Sequence, residues 1–548
     1  MEERKRMAIR RERGSQWMIV VCAVYFSTVL NMSFWRFVVS RLDFSESGTI
    51  PFALSMPVAL FLVLHICFSV LLWPYIAKPL MFVLLATSAG ACYFMFTLNV
   101  LIDSEMIRNI FEARPHETFD MVTMSGALWV LVLGVIPGIA LCFVKIRYQT
   151  FPREIVGRVI RITVSLAILL VLSFFFFKDY AAAGRNNKTA GKLLTPFNYI
   201  VSTRNYLRKQ ARQNLPFIVI DEAPEHIPYE DPYATVLVLM IGETARAMNF
   251  SLNGYERETN PKLSKQDIIN FPNVTSSGTA TAFSLPCMFS HLGRNEFDID
   301  SSYHSENLLD IMQKSGYDVL WIDNDGGSKG VSDRVATIDC MQEGNPAFRN
   351  GDTFFDEVLL DDLGERIAGL TKDTVIVLHM MGSHGPSYYR RYPDAFRVFT
   401  PTCDTAEIQN HPREEIINTY DNTILYSDYV VSEVIDMLKR FPQYESGMLF
   451  VSDHGESLGE NGLYLHGMPY SIAPIEQTHI PMVLWMSETM RREDHVDYER
   501  LKEKSRSMVL SHDNFFHSIL GLVEVDTELY NPELDLFRDF RTKKLPYQ

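Results

Sequence analysis

Five runs of almost purely apolar residues fill the first third of the chain, and they constrain its fold more than any other feature. Each run holds roughly 18–23 residues, enough for a helix to cross the ~30 Å hydrocarbon core of a bilayer. Inside lipid the backbone polar groups must bond within the segment, which favours helices. The sequence therefore predicts an anchor of five transmembrane helices over residues 1–177, with spans at about 17–35, 52–73, 80–102, 124–144 and 159–177.

The basic residues around these runs predict their orientation. The amino-terminal tail and the loop at 145–158 are rich in arginine and lysine, whereas the loop at 103–120 is mostly acidic. Basic loops tend to remain in the cytoplasm. We therefore expect a cytoplasmic amino terminus, and five crossings then place everything after residue 177 outside.

Two short stretches separate the spans from the rest of the chain. Residues 196–212 mix aromatic and basic side chains, which suits a helix on the membrane surface or an ordinary solvated helix. Residues 221–232 form an acidic linker with spaced prolines. We expect an interfacial helix and linker at 178–233 and a folded domain outside the membrane at 234–548. The net charge of −15, from 51 basic and 66 acidic residues, argues against nucleic-acid partners.

The remaining chain has the pattern of an α/β domain. Short β-branched and aliphatic runs recur at 235–242, 319–322, 374–380, 448–452 and 480–486. Longer helix-like segments lie between them, among them 305–315, 356–370 and 413–440. This alternation predicts a mostly parallel sheet that is covered on both faces. Functional residues are expected at the carboxyl ends of its strands.

Chemically capable residues follow these strands. Glu243 comes directly after the first run, and Asp453 and His454 come directly after the run at 448–452. One nitrogen and two carboxylate ligands suit Zn²⁺ with a fourth position open. Taken singly, each residue has an ordinary explanation as a turn, cap or first-turn residue. Their placement at one edge of one sheet favours a metal site.

The segment 276–289 supplies candidate nucleophiles. Gly278 permits a tight turn, and small residues then begin a helix. A hydroxyl group there lies near free backbone N–H groups and in the positive field of the helix terminus. The spacing does not choose among the hydroxyl residues of this segment, and each suits a plain capping role as well; they are Ser276, Ser277, Thr279, Thr281 and Ser284.

Long motifs give the chain a family resemblance. They read GETARAMNFSLNGYERETNPKL at 242–263, GTATAFSLPCMFS at 278–290, GSHGPSYYRRYP at 382–393 and SDHGESLGENGLYLHG at 452–467. With these blocks the chain resembles the lipid A phosphoethanolamine transferases of Gram-negative inner membranes, which include the mobile colistin-resistance enzymes. The resemblance implies an alkaline-phosphatase-like or sulfatase-like domain in the periplasm. It also implies phosphatidylethanolamine as donor, a lipid A phosphate as acceptor, and lower polymyxin susceptibility through a less negative outer membrane.

The resemblance also assigns roles to individual residues. It makes Thr281 the nucleophile, which carries a covalent phosphoethanolamine ester, and it implies zinc ligands at Glu243, Thr281, Asp453 and His454. His384, His466 and Lys329 match residues near the substrate phosphate, where a second ion is possible during turnover. Asn109 and Glu117 match residues near the lipid headgroup.

The cysteines depart from the family pattern. The family's outer domain usually carries disulfides, one of which joins the positions held here by Ser277 and Cys287. That bridge cannot form in this chain. Cys340 and Cys403 also lack evident partners, so we expect all three outer cysteines to be free thiols.

Two other functions compete with this interpretation. One is a transferase of the same superfamily that moves phosphoethanolamine or glycerol phosphate to another envelope glycan. A sulfatase is disfavoured, because the stretch 284–287 lacks the required C/S-x-P-x-R context. The other is a catalytically silent membrane sensor or scaffold, against which an intact set of Thr281, Glu243, Asp453 and His454 argues.

Overall fold

The computed structural model describes residues 13–42, 49–97, 101–112, 124–186, 188–213, 216–227 and 232–545. The chain divides into two compact units, Met1–Asn214 and Leu215–Gln548. This division falls inside the stretch 178–233, so the three-part organisation expected from the sequence stays a prediction.

The first unit is helical. Its helices are α1 (Ser15–Thr28), α2 (Met32–Arg41), α3 (Thr49–Leu71), α4 (Ala77–Thr97), α5 (Ser104–Glu112), α6 (Met124–Phe143), α7 (Phe151–Phe175), α8 (Phe177–Asn186), α9 (Lys188–Gly191) and α10 (Phe197–Gln213). Helices α3, α4, α6 and α7 are long and apolar enough to cross a membrane, and the pair α1–α2 makes a fifth span if it counts as one. The sequence predicts five transmembrane helices, and the described part of this unit carries four apolar helices of that length, or five with the bent pair.

The first predicted span is not one straight helix. Helices α1 and α2 meet at a bend of 48°. Asn31 lies at the break, where its side-chain amide donates to the carbonyls of Phe26 and Thr195 and accepts from the Thr195 N–H. Asparagine offers the backbone such bonds in competition with the helix, which explains why hydropathy alone missed the break.

The predicted basic loop at 145–158 is also shorter than expected, because α7 already begins at Phe151. Pro152 suits a first helical turn, since its fixed φ and missing N–H cost nothing there. Arg158 is buried, and its guanidinium binds Glu154 at 3.0 Å and the Leu72 carbonyl at 2.7 Å. Bonds to a carboxylate and a carbonyl let a cation lie inside this helical unit.

The two residues expected near the lipid headgroup lie at the edge of what is described. Asn109 lies on α5, but its side chain is outside the described part, and Glu117 is outside the described residues altogether. Helix α10 packs on α5, with the rings of Tyr206 and Phe111 stacked at 5.5 Å. Both interpretations of 196–212 stay open.

An eight-stranded sheet organises the second unit. Its strands are β1 (Ala234–Gly242), β2 (Ile269–Thr275), β3 (Asp318–Asp323), β4 (Ala336–Asp339), β5 (Thr374–His379), β6 (Tyr444–Ser452), β7 (His479–Met486) and β8 (Leu510–Ser511), in the order β8-β2-β7-β6-β1-β5-β3-β4. Strands β6, β1, β5, β3 and β4 are parallel neighbours, and β7 is antiparallel to β6 and β2. The predicted mostly parallel sheet is confirmed.

Both faces of the sheet are covered. Along β1, Leu237, Leu239 and Ile241 enter one hydrophobic core, and Val236, Val238 and Met240 enter the other. This alternation follows the two-residue period of a strand. The helices of this unit are α11 (Thr281–Met288), α12 (Ile299–Ser302), α13 (Leu308–Ser315), α14 (Cys340–Glu343), α15 (Leu363–Ala368), α16 (Arg413–Leu438), α17 (Glu488–Glu493), α18 (Tyr498–Lys504) and α19 (Asp513–Leu522). Helices α11, α13 and α19 contribute to the first core, and α15 and α16 to the second.

Some elements differ from the sequence pattern. Strand β2 was not predicted, because Pro272 within it resembles a strand breaker. Strands β4 and β8 were missed because they are short. The helix expected at 356–370 is a 3₁₀ turn, Asp356–Leu360, followed by α15, since Asp362 adopts a left-handed backbone between them. Helix α16 agrees closely with the prediction at 413–440.

Candidate active site

The central parallel strands bring the predicted residues to one edge of the sheet. Gly242 at the end of β1 pairs in register with Ser452 at the end of β6. Glu243 and Asp453 follow these residues, and the Asp453 N–H donates to the Gly242 carbonyl at 2.9 Å. Thr281 is the first residue of α11. The three side chains therefore meet where strand ends and a helix amino terminus converge.

Thr281 faces the two protein groups best suited to activate it. Its Oγ1 donates to Oε2 of Glu243 at 2.9 Å and lies 3.4 Å from Nε2 of His454. The same His454 nitrogen lies 3.6 Å from Oε1 of Glu243 and 3.4 Å from Oδ2 of Asp453. The four residues expected as zinc ligands are thus brought together, with Glu243, Asp453 and His454 fully buried.

Hydrogen bonding separates Thr281 from the other candidate nucleophiles, because each of those hydroxyls is held by a backbone carbonyl. Ser276 donates to Gly278, Ser277 to Ser284, Thr279 to Met468, and Ser284 to Asp453. Thr281 is the hydroxyl that points to the buried carboxylate. These contacts favour Thr281 among the candidates that the spacing left open.

Two buried carboxylate oxygens face the centre of the site. Oε1 of Glu243 and Oδ2 of Asp453 are buried without a hydrogen-bond partner among the residues that the structure describes. Burial and the nearby Asp453 and Asp325 carboxylates raise the pKa of Glu243 well above its usual range. Two unpartnered oxygens beside an imidazole nitrogen and a hydroxyl fit a cation such as Zn²⁺, which offsets their negative charge.

His454 is held in the form that a metal ligand requires. Its Nδ1 donates to the Gly455 carbonyl at 2.9 Å, which leaves the Nε2 lone pair facing Glu243 and Thr281. Burial lowers the pKa of His454 to about 4, so the ring stays neutral near pH 7. A neutral imidazole whose second nitrogen is fixed by a carbonyl is the usual arrangement for metal ligation.

Two further histidines approach this centre. The His466 ring lies 4.5 Å from the His454 ring and 5.9 Å from the His384 ring, between centroids. Nδ1 of His466 lies 3.1 Å from Oε2 of the buried Glu456. Glu243, His454 and His466 present ligand atoms within 4.8 Å of one another, a grouping that could hold a metal ion. His466, expected beside the phosphate, thus also lies within reach of the metal position.

Lys329 lies in the loop after β3 and is linked to the site through Asp325. Its ammonium donates to the Gly327 carbonyl at 3.0 Å and acts electrostatically on Asp325. Burial raises the pKa of Asp325 to about 7, against the opposing effect of His379 and Lys329. Asp325 and its partner His379, 3.8 Å apart, were not singled out from the sequence, where they resemble loop and strand residues.

His512 is a third residue that the sequence pattern does not reveal, because a histidine at the start of α19 resembles a cap. Its Nε2 donates to the Ser452 carbonyl at 3.0 Å, and its Nδ1 accepts from the Ser277 N–H at 3.2 Å. The Ser284 hydroxyl lies 3.3 Å from the same Nδ1. His512 therefore connects the end of β6 to the turn and helix that carry Thr281.

A glycine permits the close packing behind the first carboxylate. Gly382 has a φ of +50°, and a Cβ there would lie 2.7 Å from the backbone oxygen of Glu243. The neighbouring Ser383 N–H donates to that oxygen at 3.0 Å. The loop after β5 thus supports Glu243 through its backbone.

The outer cysteines are free, as the sequence predicts. Cys287, Cys340 and Cys403 are each buried and unpaired. Burial raises the pKa of the Cys287 thiol to about 11, against the opposing effect of a hydrogen bond with Ser277. Ser277 instead contacts His512 and Ser284, so a polar network stands where the family resemblance places a disulfide.

The fold and the site define an enzyme of the alkaline phosphatase and sulfatase class. Residues 235–525 match the family described as sulfatase, and residues 60–211 match the family described as phosphoethanolamine transferase EptA/EptB.

Similar proteins specify the family. The chain is 41% identical to phosphoethanolamine transferase EptA of Escherichia coli K12, over 95% of this chain and 96% of that protein. It is 33% identical to phosphatidylethanolamine transferase Mcr-1 of Escherichia coli, over 95% and 96% of the two chains. The solved structure of the integral membrane protein lipooligosaccharide phosphoethanolamine transferase A of Neisseria meningitidis aligns with a TM-score of 0.66 at 39% identity, covering 97% of this chain and 100% of that one. The chain belongs to the EptA family of membrane-anchored phosphoethanolamine transferases.

Proposed function

We propose that this enzyme transfers phosphoethanolamine from phosphatidylethanolamine to a phosphate group of lipid A through a covalent ester on Thr281. The observation that carries the proposal is the Thr281 hydroxyl, 2.9 Å from the Glu243 carboxylate and 3.4 Å from Nε2 of His454 at the helix amino terminus. The names of the similar enzymes support the transferred group, the donor and a lipopolysaccharide-type acceptor.

The first half-reaction loads the enzyme. The Thr281 oxygen attacks the phosphorus of the donor, and the bond from phosphorus to the diacylglycerol oxygen breaks. The Thr281 hydroxyl passes its proton to Oε2 of Glu243, and the hydrogen bond between them orients the oxygen beforehand. The departing oxygen takes up a proton, which we assign to His466 because its ring lies beside His454 and is oriented by the contact of its Nδ1 with Oε2 of Glu456.

The second half-reaction moves the phosphoethanolamine group from Thr281 to the acceptor. A protonated oxygen of the acceptor phosphate attacks the same phosphorus and passes its proton to His466. The bond from phosphorus to the Thr281 oxygen breaks, and that oxygen regains its proton from Glu243. Diacylglycerol must leave before the acceptor enters, so the kinetics are ping-pong. His384 and Lys329 balance the negative charge of the phosphate groups in both steps. His384 lies against His466, with 5.9 Å between ring centroids, and Lys329 acts electrostatically on Asp325; these positions support the assignment. A second metal ion during turnover is compatible with the same charge balance.

The protein groups at the centre suit a zinc ion. Glu243, Thr281, Asp453 and His454 would hold it. Zn²⁺, when bound, supplies Lewis-acid polarisation of the phosphate and lowers the pKa of a neighbouring hydroxyl. The buried, unpartnered oxygens of Glu243 and Asp453 support this cofactor.

We place the enzyme in a bacterial inner membrane with its amino terminus in the cytoplasm and its catalytic unit in the periplasm. The apolar helices support this orientation, as do the basic residues Lys145 and Arg147 in the loop before α7 and Arg153 in its first turn. Modified lipid A then carries an added ammonium group, which lowers the negative charge of the outer membrane and the binding of cationic polymyxins. Asn109 and Glu117 stay predicted contacts of the headgroup.

The first test uses purified enzyme and a fluorescent phosphatidylethanolamine. We expect release of fluorescent diacylglycerol and a mass increase of one phosphoethanolamine on the peptide that contains Thr281. Thr281→Ala is expected to show neither. The competing transferase function would give acceptor modification of another envelope glycan, and a silent scaffold would give no turnover with any donor.

A further inference from the structure

An uncharged, partly apolar segment follows the catalytic His466. Residues 467–475 read GMPYSIAPI, without an acidic or basic side chain. Ile472 and Ile475 are 66% and 62% exposed, and they lie three positions apart on consecutive 3₁₀ turns. Large aliphatic side chains this exposed are costly in water, so two on one short segment suggest a nonaqueous partner.

The segment is fixed to the turn that precedes the nucleophile. The Gly467 N–H donates to the Thr279 carbonyl at 2.8 Å, and the Thr279 hydroxyl donates to the Met468 carbonyl at 2.6 Å. Farther along, the Tyr470 hydroxyl donates to the Ser276 carbonyl at 2.9 Å. The segment that carries the exposed isoleucines is therefore hydrogen-bonded directly to the turn that precedes the nucleophile.

A cation packs against the aromatic ring of this segment. The Arg294 guanidinium stacks 3.3 Å above the Tyr470 ring and bonds the Ser277 carbonyl. Tyr470, two residues before Ile472, thus joins the exposed segment to a positive charge. Tyrosine and arginine favour the headgroup level of a bilayer, and aliphatic side chains favour the acyl region.

We propose that the 467–475 segment is a lipid-contacting surface of the catalytic unit. Ile472 and Ile475 enter the acyl region of the leaflet that holds the donor, and Arg294 lies at the level of its phosphates. This contact brings the phosphate of a bilayer lipid to the height of Thr281. The inference rests on the proposed function for the identity of the donor. The segment itself brings the catalytic unit into contact with that donor.

The test compares two donors with the full-length protein in phosphatidylglycerol nanodiscs. One donor is a long-chain fluorescent phosphatidylethanolamine in the bilayer, and the other is dihexanoyl phosphatidylethanolamine, dissolved as monomers. The variant Ile472→Ser/Ile475→Ser is expected to lower the ratio of bilayer-donor rate to soluble-donor rate about tenfold, because apolar area that favours the acyl region is lost. The control is Val398→Ser/Val509→Ser, which removes side chains that are 60% and 84% exposed elsewhere. It should leave the ratio at the wild-type value.

The outcomes separate this inference from the proposed function. An unchanged ratio, or an equal fall in both rates, would overturn the lipid contact and leave the transfer reaction standing. Wild-type protein that transfers from neither donor would instead overturn the proposed function and the inference with it. A direct readout uses phosphatidylethanolamine with a photoreactive diazirine on the acyl chain. Adducts on residues 467–475 support the contact, and adducts confined to the transmembrane helices contradict it.

Discussion

His512 donates a hydrogen bond from Nε2 to the carbonyl of Ser452 at 3.0 Å, immediately before Asp453 in the chain. The same ring accepts from the Ser277 N–H at 3.2 Å. One buried imidazole therefore sets the distance between the Asp453 strand end and the turn that leads into Thr281. In this chain that connection does not depend on a disulfide.

We expect His512→Ala to lower kcat about tenfold to a hundredfold, since displacement of a reacting group by about 1 Å has effects of that size. The KM for the donor should change by less than about twofold, because His512 does not contact the lipid in this account. His517→Gln is the matched control, a buried histidine on the same helix. An unaltered kcat in His512→Ala, measured on folded protein, would rule out the positioning role.

The zinc content of purified variants should distinguish the proposed ligand Glu243 from Glu456, a buried acid that is not a proposed ligand. Glu243→Gln should lose most of its zinc, because it removes one of the negative charges that balance the ion. Glu456→Gln should keep zinc and lose turnover, since Glu456 contacts His466 rather than Thr281. Both are measured by plasma mass spectrometry of purified protein. Full zinc occupancy in Glu243→Gln would show that Glu243 is not a ligand.

Acid should destabilise the catalytic unit through its buried histidines. Burial lowers the pKa of His517 to about 4, whereas the unfolded ring titrates near the usual ~6.5. Below about pH 6.5 the His517 ring therefore binds a proton in the unfolded chain but stays neutral in the folded chain. The free energy of unfolding falls as pH decreases towards 4. His517 alone accounts for about 2 kcal/mol at pH 5.

This pH effect is checked by thermal unfolding of the full chain between pH 7 and pH 5. The melting temperature should fall on acidification, and His517→Gln should reduce the fall. The Asn531 N–H donates to Nδ1 of His517 at 3.1 Å, an acceptor that glutamine can replace in kind. An equal dependence of the melting temperature on pH in wild type and variant would contradict the lowered pKa of His517.

The thiol state gives an independent prediction. Denaturation in iodoacetamide without reductant should alkylate Cys287, Cys340 and Cys403, which are all unpaired. In the native state the same three sites should react slowly, because each is buried and burial raises its pKa. A disulfide-linked peptide of Cys340 and Cys403 would contradict the structure.

The sequence predicts the parts of this molecule that depend on hydrophobic pattern. Long apolar runs and alternating strands leave signals of known period, so the helices α3, α4 and α6 and the strands β1, β5 and β6 were predictable. The bend at Asn31 was not, because it depends on side-chain bonds to a carbonyl at Thr195, far along the chain. Strand β2 was not predictable either, because Pro272 disfavours a strand in the local sequence. Pairing with the neighbouring strands stabilises it instead.

The candidate site also contains residues that the sequence predicts and residues that it does not. Glu243, Asp453 and His454 directly follow strands, so fold topology alone places them together. The choice of Thr281 among five hydroxyls needed either the family motif or the hydrogen bonds that occupy the other four. The roles of His512 and Asp325 depend on contacts between segments distant in sequence, which no local pattern records.

The central claim is tested most directly by mass spectrometry of lipid A from polymyxin-susceptible cells that express the wild-type chain or Thr281→Ala. Wild type should add one phosphoethanolamine unit to lipid A, and the purified enzyme, treated with donor but no acceptor, should carry the same unit on Thr281. The variant should show neither change while retaining its fold. Unmodified lipid A with the wild-type chain, or modified lipid A with Thr281→Ala, would contradict the account.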